Sequence, residues 1–393
     1  MMSQGIEFTG KAPFKDILIH GMVRDSQGRK MSKTLGNGID PMEIIEEYGA
    51  DSLRFAVISG TTMGNDIRYM PEKLEQASNF ANKMWNATKF IRNNDVEDED
   101  IIKYHTQVYD KENKIYKKEL LNIEDKWLIN KLETLIQEVT NNIENYDLGV
   151  ALDKIYSFIW NEFCDWYIEM VKPRLYSDNY NEKVKVCYVL DYVFGICMKL
   201  LHPFMPSVTT EIYRSLAQYN DKDLMVSKWP YAKSNMQFKE EEDFVERLKS
   251  IITEIRNTRA NMNVHPSKKA ELIFVTKKYE NEIQEAKDFL LKLGFGSNII
   301  IQKDKTGIKE NAISILEDGI ELYMPFEGLV DMEQERKRLQ EEKTRLEAEV
   351  ARCEKMLSNP GFVNKAPEAK VNEEKEKLAK YKEMLNKVLE SLR

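Results

Sequence analysis

The chain has 393 residues, of which 32% are charged and 42% hydrophobic, and its formal net charge is -8. This length allows two or more domains, while the acidic balance means that any surface for nucleic acid must be a local patch. The sequence predicts no membrane span and no signal peptide, and its four cysteines form no C-x-x-C pair, so it predicts neither a zinc site nor a disulfide framework and is typical of a reducing cytosol.

The first predicted element is a buried strand at 14–21, where a β-rich apolar run ends at a glycine. His20, near the end of this run, fits a structural role better than a catalytic one. Helices are predicted at 41–48 and 52–59, each closed by a glycine, and Asp51 is the predicted N-cap of the second helix. A turn and a short extended segment follow at 64–69.

A glycine-rich cationic loop, GRKMSKTLGNGIDP at 28–41, joins the predicted strand to the first helix. Lys30 and Lys33 flank a Met-Ser pair, and the glycines allow the loop to move and to approach a ligand closely. Lysine ammonium groups on such a loop suit a polyphosphate, to which Ser32 would add a hydroxyl donor. Asp40, as N-cap before a proline, fixes the far end of the loop to the helix.

The segment KMSKT at 30–34 resembles the KMSKS loop of class I aminoacyl-tRNA synthetases, with Thr34 where the family usually has serine. The extension through residue 41 and the segment YGADSLR at 48–54 resemble the valyl-tRNA synthetases within that class. The resemblance implies that this loop is catalytic and binds ATP, with ATP and Mg²⁺ as substrate and ion of the parent enzyme. The implied catalytic residues are Lys30, Ser32 and Lys33, and the implied ATP-binding residues are Lys30, Met31, Ser32 and Lys33.

Within this set, Lys33 is the first choice, and Lys30 the second, for offsetting charge on the ATP phosphates as pyrophosphate leaves. A class I site has a second half that carries an H-x-G-H motif, and no two of the four histidines here are three residues apart. We therefore expect residues 1–70 to be the end of a catalytic domain. We also expect the chain to be the carboxyl-terminal part of a larger enzyme, and to be inactive in amino-acid activation by itself.

Residues 71–235 are predicted to form a helix bundle, because apolar residues recur there at helical spacing. The predicted helical segments are 74–91, 127–139, 148–172, 182–201 and 207–218. The stretch from 95 to 122 is predicted as a loop, and Pro173 as the end of the third helix.

Two motifs in this region, FANKMWN at 80–86 and LHPFMP at 201–206, resemble the anticodon-binding domain of the class I enzymes for valine, isoleucine and leucine. The resemblance implies that unpaired anticodon bases meet aromatic and amide side chains on the bundle. The candidates for contact with tRNA are Asn79, Lys83, Asn86 and Arg92.

Residues 236–330 are predicted to form a small α+β module with helices at 240–261 and 279–292. Strands are predicted at 271–275, 298–301, 312–316 and 320–324, the last two joined by an Asp-Gly hairpin turn. One end of the module is basic and amide-rich, which suits either RNA phosphates or a solvated helix end. The residues at this end are Arg256, Arg259, Asn261, Asn263, Lys268 and Lys269.

Residues 331–393 are predicted to form an antiparallel coiled-coil hairpin, because heptads run on both sides of a break at 359–361. The main heptad positions are Met332, Leu339, Leu346 and Cys353 in the first arm and Val371, Leu378, Leu385 and Leu392 in the second. The segments around the break resemble the tip of the carboxyl-terminal coiled coil of bacterial valyl-tRNA synthetases, which implies a tRNA-binding arm.

These features predict a mainly α protein with four parts: a class I catalytic remnant, a helical-bundle anticodon-binding domain, a small α+β module and a coiled-coil hairpin. The resemblance implies part of a cytoplasmic, monomeric enzyme that joins valine to tRNA(Val) through valyl-adenylate, with no metal site and no membrane contact in this part. Two alternatives are an isoleucyl- or leucyl-tRNA synthetase fragment and a non-catalytic tRNA-binding or assembly module. The isoleucyl enzyme often ends in a cysteine-rich zinc module, and the leucyl enzyme lacks the coiled-coil end.

Overall fold

The computed structural model describes the chain except for several short stretches and parts of the carboxyl-terminal region. The residues left out are 63, 111, 114, 218–222, 234–236, 310–311, 326–331, 359–369, 371–373, 376, 383–384 and 386–393. At 332–339 and 341–342 only the backbone is described.

Helices form most of the described chain, in agreement with the predicted mainly α class. They are α1 Met2–Thr9, α2 Pro41–Tyr48, α3 Ala50–Ile58, α4 Pro71–Arg92, α5 Asp98–Val108, α6 Ile123–Glu144, α7 Leu148–Ser157, α8 Ile168–Leu175, α9 Tyr180–Leu201, α10 Pro206–Ser215, α11 Lys239–Asn261, α12 Glu280–Glu285, α13 Lys287–Leu293 and α14 Met332–Leu357. Short 3₁₀ turns lie at Lys118–Leu120 and Leu224–Val226, and a π-helical stretch, Phe158–Tyr167, joins α7 to α8.

The strands are short in the first half of the chain and longer in the second. They are β1 Val23–Arg24, β2 Ile67–Arg68, β3 Tyr109–Asp110, β4 Ile115–Tyr116, β5 Ala270–Val275, β6 Gly296–Gln302, β7 Ile313–Glu317 and β8 Ile320–Met324. β1 pairs with β2 in parallel, and β3 with β4 antiparallel. The last four form one sheet in the order β6-β5-β8-β7, in which only the β5–β6 pair is parallel.

The predicted strand at 14–21 is wrong. These residues have no regular structure, and Ile17 and Ile19 are 69% and 74% exposed. An apolar strand becomes buried only when neighbouring strands and helices cover it. In the described part of the chain, the nearest paired backbone is β1, which begins two residues later and pairs only with β2.

The two helices predicted after the loop are present, as α2 and α3. Asp51, however, does not cap α3 as predicted. Gly49, with a φ of 86°, precedes α3, and Asp51 lies in its first turn. The buried Asp51 carboxylate instead accepts a hydrogen bond of 2.7 Å from the backbone N–H of Val208, in the first turn of α10. It therefore caps a helix that is distant in the sequence. Asp40 does cap α2 as predicted, accepting from the N–H of Met42 at 2.9 Å.

Helices α4 and α6 to α10 form the predicted bundle around large buried side chains. Trp127, Phe80 and Phe163 are fully buried, and Phe163 stacks on Phe194 of α9 with ring centroids 5.0 Å apart. Apolar residues at helical spacing therefore do mark the core here. Among the described helices, none combines the length and apolar character that crossing a membrane requires.

Two local predictions in the bundle are wrong. The predicted loop from 95 to 122 contains α5, whose acidic first turn suits the positive end of a helix, and whose Ile101 and Val108 are buried. Pro173 does not stop its helix but lies inside the last turn of α8, which ends at Leu175.

The α+β module packs its helix α11 against α6 of the bundle. The indole N–H of Trp127 donates to Glu246 at 2.9 Å, and one continuous apolar core extends from Phe55 to Met324. The Asp-Gly hairpin between β7 and β8 is as predicted, whereas the predicted helix at 279–292 is divided into α12 and α13. The four-part division of the chain at 70, 235 and 330 remains a prediction.

Part of the predicted hairpin lies in the described region. Leu346 and Cys353, two predicted heptad positions of α14, are buried, and the Cys353 thiol lies 3.6 Å from the Glu374 carboxylate. Lys382 also pairs with Glu354 at 2.8 Å, so the segment after the break returns alongside α14. The break itself and Val371 and Leu392 lie outside the described residues, and the coiled coil stays a prediction.

Candidate functional site

The cationic loop begins where β1 ends. A tight turn follows β1, in which the Gly28 N–H donates to the Asp25 carbonyl at 2.8 Å and Gly28 has a φ of 81°. Such a conformation favours glycine because other side chains are strained there. The chain then returns antiparallel, so that Lys30 pairs with Arg24.

The buried Asp25 carboxylate organises this turn. It accepts backbone hydrogen bonds from Gln27 at 3.1 Å and Arg29 at 2.7 Å, a side-chain bond from Arg29 Nε at 2.7 Å, and one from Asn37 Nδ2 at 2.9 Å. The hydrogen bond from Asn37, followed by those from Arg29, lowers the pKa of Asp25 to about 2. The carboxylate is therefore ionised across the physiological pH range.

The Asn37 side chain closes the loop. Its Oδ1 accepts from the Ser32 N–H at 2.9 Å, while its Nδ2 donates to Asp25 and, at 3.3 Å, to the Lys30 carbonyl. The Asn37 amide thus joins Asp25, which precedes the loop, to Lys30 and Ser32 within it.

The lysines of the loop are presented to solvent. Lys30 and Lys33 are both exposed, and the tip turns through Gly36, whose φ is 61° and whose N–H donates to the Lys33 carbonyl at 3.3 Å. The Ser32 hydroxyl accepts from the Leu35 N–H at 3.3 Å, so it shapes the tip as well as offering a donor. The structure therefore brings the predicted residues together on one short, exposed loop.

Further cations lie beside the loop. Arg24 pairs with Asp66 at 2.5 Å, and its Nη1 lies 3.4 Å from the Gly28 carbonyl. The Arg68 guanidinium would be 3.3 Å from a Cβ at position 28. An anion with several negative charges is the ligand that this arrangement suits. In the described chain, no group of three or more metal-ligating side chains is close enough to hold a metal ion.

His20 lies at the edge of a cavity of about 390 Å³ with mainly apolar walls, which include Ile19, Val57 and Ile67. Its Nδ1 is 2.7 Å from the Gly21 carbonyl oxygen, so the ring contacts the backbone of the next residue. His20 is exposed and lies outside any strand, so the structural role expected for it remains a prediction.

The four candidates for tRNA contact lie along α4. Asn79 and Asn86 are exposed, whereas Lys83 is held by Asp165 at 2.6 Å and lies 3.8 Å from the centroid of the Trp160 ring. Arg92 pairs with Asp98, the shorter of its two bonds being 2.8 Å. Two of the four side chains are thus already engaged within the protein.

The basic end of the α+β module is less accessible than its sequence suggested. Arg259 is buried, donates to the backbone carbonyls of His265 and Lys268, and lies against Phe295. Arg256 donates to the Leu293 carbonyl at 3.2 Å. The two arginines hold this end together, which leaves the exposed lysines at 268 and 269 as its outward charge.

Asp25 and Asn37 were missed as members of the site. An Asp three residues before a glycine and an Asn between two glycines are typical of turns, and this signal was available. Their contact with one another joins residues twelve positions apart, which no local pattern reveals.

Comparison with known proteins gives three family matches along the chain. Residues 1–70 match the family model "tRNA synthetases class I (I, L, M and V)", residues 125–274 match "Anticodon-binding domain of tRNA ligase", and residues 331–393 match "Valyl tRNA synthetase tRNA binding arm". The chain therefore shares its loop-bearing segment and its anticodon-binding segment with the class I tRNA synthetases.

Full-chain relatives specify the family within this class. A valine–tRNA ligase from Clostridium perfringens is 44% identical over 100% of this chain and 43% of its own length, and one from Oceanobacillus iheyensis is 40% identical over 99% and 43%. The chain is thus homologous to valine–tRNA ligases over its whole length, and it spans less than half the length of these relatives. This result favours the valyl prediction over the isoleucyl and leucyl alternatives.

One solved structure, described as a ternary complex of Agrobacterium radiobacter K84 agnB2 LeuRS with tRNA and LeuAMS, is more distantly similar. It is 14% identical, covers 76% of this chain and 34% of its own, and has a TM-score of 0.42.

Proposed function

We propose that this chain supplies the phosphate-facing loop and the tRNA-binding parts of a valine–tRNA ligase. The observation that carries the proposal is the exposure of Lys30 and Lys33 on a loop whose base is fixed by Asn37. The enzyme would join valine to tRNA(Val) through valyl-adenylate, with ATP and its Mg²⁺ as substrate. It would act as a monomer in the cytoplasm, where tRNA is used.

The proposed role of the loop lysines follows from where negative charge increases during the reaction. When valine attacks the α-phosphate of ATP, charge accumulates on the departing pyrophosphate. A lysine ammonium placed at that position lowers the barrier if it contacts the pyrophosphate more strongly in the transition state than in bound ATP. Lys33 lies on the projecting tip, while the carbonyl of Lys30 is bound at the base by Asn37. We therefore assign this role to Lys33 first.

The proposed tRNA contacts are supported by the matches to the anticodon-binding and tRNA-binding arm models. On α4, Asn79 and Asn86 are available at the surface, whereas Lys83 and Arg92 would have to exchange a carboxylate partner for RNA. Ion pairs at partly exposed positions contribute little to stability, so this exchange is a small obstacle.

The proposal is tested by a Lys33→Ala substitution in the full-length ligase that carries this chain. We expect the maximal rate of valyl-adenylate formation to fall by about a hundredfold or more, with little change in ATP affinity, because the contact forms mainly in the transition state. Lys33→Arg should restore only part of the rate, since a planar guanidinium replaces a compact ammonium. Single-turnover measurements over a range of ATP concentrations give both quantities.

Lys15→Ala is the matched control, because Lys15 is an exposed lysine in the same part of the chain but outside the loop. It should leave both quantities unchanged. A Lys33→Ala enzyme with the normal maximal rate and only a weaker apparent affinity for ATP would contradict the proposed role.

A further inference from the structure

We propose that Asp25 and Asn37 are positioning residues that clamp the base of the loop and thereby set where Lys33 is presented. This inference rests on the proposed function of the loop. It concerns two residues that are not proposed to contact the nucleotide. Instead, they hold the backbone from which Lys33 projects.

The fixed half of the clamp is Asp25. It is 6% exposed and follows directly after β1, which is itself held by β2. The hydrogen bonds described for its carboxylate all come from residues 27–37: two from the backbone N–H groups of Gln27 and Arg29, one from Arg29 Nε and one from Asn37 Nδ2. A buried carboxylate whose two oxygens each accept two hydrogen bonds has little freedom to move, because a displacement would weaken several of these bonds at once.

The bridging half is Asn37. Its amide can serve Asp25, Lys30 and Ser32 at once because it has both donor and acceptor atoms. An aspartate at this position could keep the bond from Ser32 but would lose both donated bonds and would place a second negative charge against Asp25. The chemistry at position 37 is therefore specific to an amide.

The consequence concerns the tip of the loop. With Ser32 and Asn37 joined, only residues 33–36 project beyond the clamp, and two further bonds within the tip, to Ser32 Oγ and the Lys33 carbonyl, turn it back. A short segment held at both ends samples few positions. Holding a catalytic group near its productive position can be worth up to two orders of magnitude in rate.

The clamp is tested first by hydrogen exchange on this chain. In Asn37→Ala the Ser32 amide loses its acceptor, and we expect its exchange to become at least about tenfold faster while the unfolding midpoint stays the same. Gln27→Ala is the control, because the bond described from Gln27 uses its backbone N–H only. Unchanged exchange at Ser32 in Asn37→Ala would overturn the clamp.

A swap of the two side chains tests the pairing itself. Asn37→Asp alone should speed exchange at Ser32 because two carboxylates then face each other, and adding Asp25→Asn should slow it again, since the amide and the carboxylate have exchanged places. If the double variant exchanges as fast as Asn37→Asp alone, the proposed pairing is wrong.

The effect on catalysis is tested by a double-mutant cycle in the full-length ligase. We expect Asn37→Ala to lower the rate of valyl-adenylate formation by about tenfold to a hundredfold with little effect on ATP affinity, and to lower it much less when Lys33 is already alanine. Equal losses in both backgrounds would overturn action through Lys33. If Lys33→Ala has no effect, the proposed function of the loop and action through Lys33 both fail, whereas the exchange experiment still decides whether the clamp exists.

Discussion

At the scale of single residues, the most unusual environment in the described chain is a buried charge cluster in the bundle. Arg174 donates to Glu124 at 2.6 Å, to Asp125 at 2.9 Å and to Glu182 at 2.9 Å, and the Tyr167 hydroxyl donates to Asp125 at 2.7 Å. Burial raises the pKa of Glu124 to about 7, with Asp125 adding to the shift and Arg174 opposing it. The sequence could not reveal this cluster, since Glu124 and Arg174 are 50 positions apart.

This shift predicts a dependence of stability on pH. Because the pKa of Glu124 is raised in the folded state, the folded protein binds this proton more tightly than the unfolded chain does. The stability that the bound proton contributes is therefore full below about pH 4.5 and is lost as the pH rises through about 7. Glu124→Gln mimics the protonated form. Relative to wild type, its free energy of unfolding should improve by roughly 2 kcal/mol between pH 5 and pH 8.

Chemical denaturation of both proteins at several pH values measures this difference. Glu46→Gln, an exposed glutamate on α2, is the control and should show no such trend. Parallel stability curves for wild type and Glu124→Gln would contradict the assigned pKa shift.

At the scale of elements, the helices that follow the loop are anchored to the bundle by two side chains of α3. Asp51 caps α10, and Arg54 donates to the carbonyls of Phe204 at 3.2 Å and Pro203 at 3.0 Å. The turn at 202–206 is thus held from outside its own helices. Two motifs that are far apart in the sequence, YGADSLR at 48–54 and LHPFMP at 201–206, therefore contact each other in the fold.

Removing this tertiary cap should weaken the junction. Asp51→Ala leaves the Val208 N–H without its acceptor and should lower the free energy of unfolding by about 1 kcal/mol, as for other lost helix caps. Asp51→Asn, which keeps an acceptor oxygen, should recover much of this loss. Thermal or chemical unfolding of the three proteins provides the comparison, and an Asp51→Ala protein as stable as wild type would show that the contact contributes nothing.

Most elements could be predicted from the sequence because their signals are local. The spacing of apolar residues and the flanking glycines and prolines indicated α4, α6, α9 and α11. The errors occurred where distant partners decide the outcome. The apolar run at 14–21 has the pattern of a strand but pairs with no strand among the described residues. The sequence of α5 is polar enough to indicate a loop, and the helix is stabilised by burial of Ile101 and Val108.

The same limit applies to the candidate site. Lys30, Ser32 and Lys33 could be identified because they are adjacent in the sequence, whereas the Asp25–Asn37 contact depends on how the chain returns. Lys83 and Arg92 have the composition of an RNA contact, but their carboxylate partners Asp165 and Asp98 were not apparent from helix periodicity alone. The tRNA contacts therefore remain a proposal.

At the scale of the whole molecule, the described chain has one large core and a carboxyl-terminal region outside it. The core extends from residue 55 to 324, and Leu346 and Cys353 of α14 are buried without being part of it. This arrangement suits a tRNA-binding arm that is attached to, but not required by, the rest of the fold.

Deleting residues 331–393 should therefore leave the bundle intact. We expect an unchanged near-ultraviolet signal from Trp127, Trp160 and Trp166, and weaker tRNA binding whose deficit shrinks as salt increases, because the lost contacts are mainly to phosphates. Circular dichroism and titrations with tRNA at several salt concentrations measure the two effects. Loss of the aromatic signal would show that the arm is part of the main core.

Aminoacylation shows whether this chain is, as proposed, the loop-bearing and tRNA-binding part of a valine–tRNA ligase. The full-length ligase carrying the chain is given tRNA(Val) transcript, ATP with Mg²⁺, and labelled valine or isoleucine. We expect valine to be attached to tRNA(Val) and Lys33→Ala to reduce this charging by about a hundredfold. Charging with isoleucine in preference to valine, or valine charging that does not depend on Lys33, would contradict this expectation.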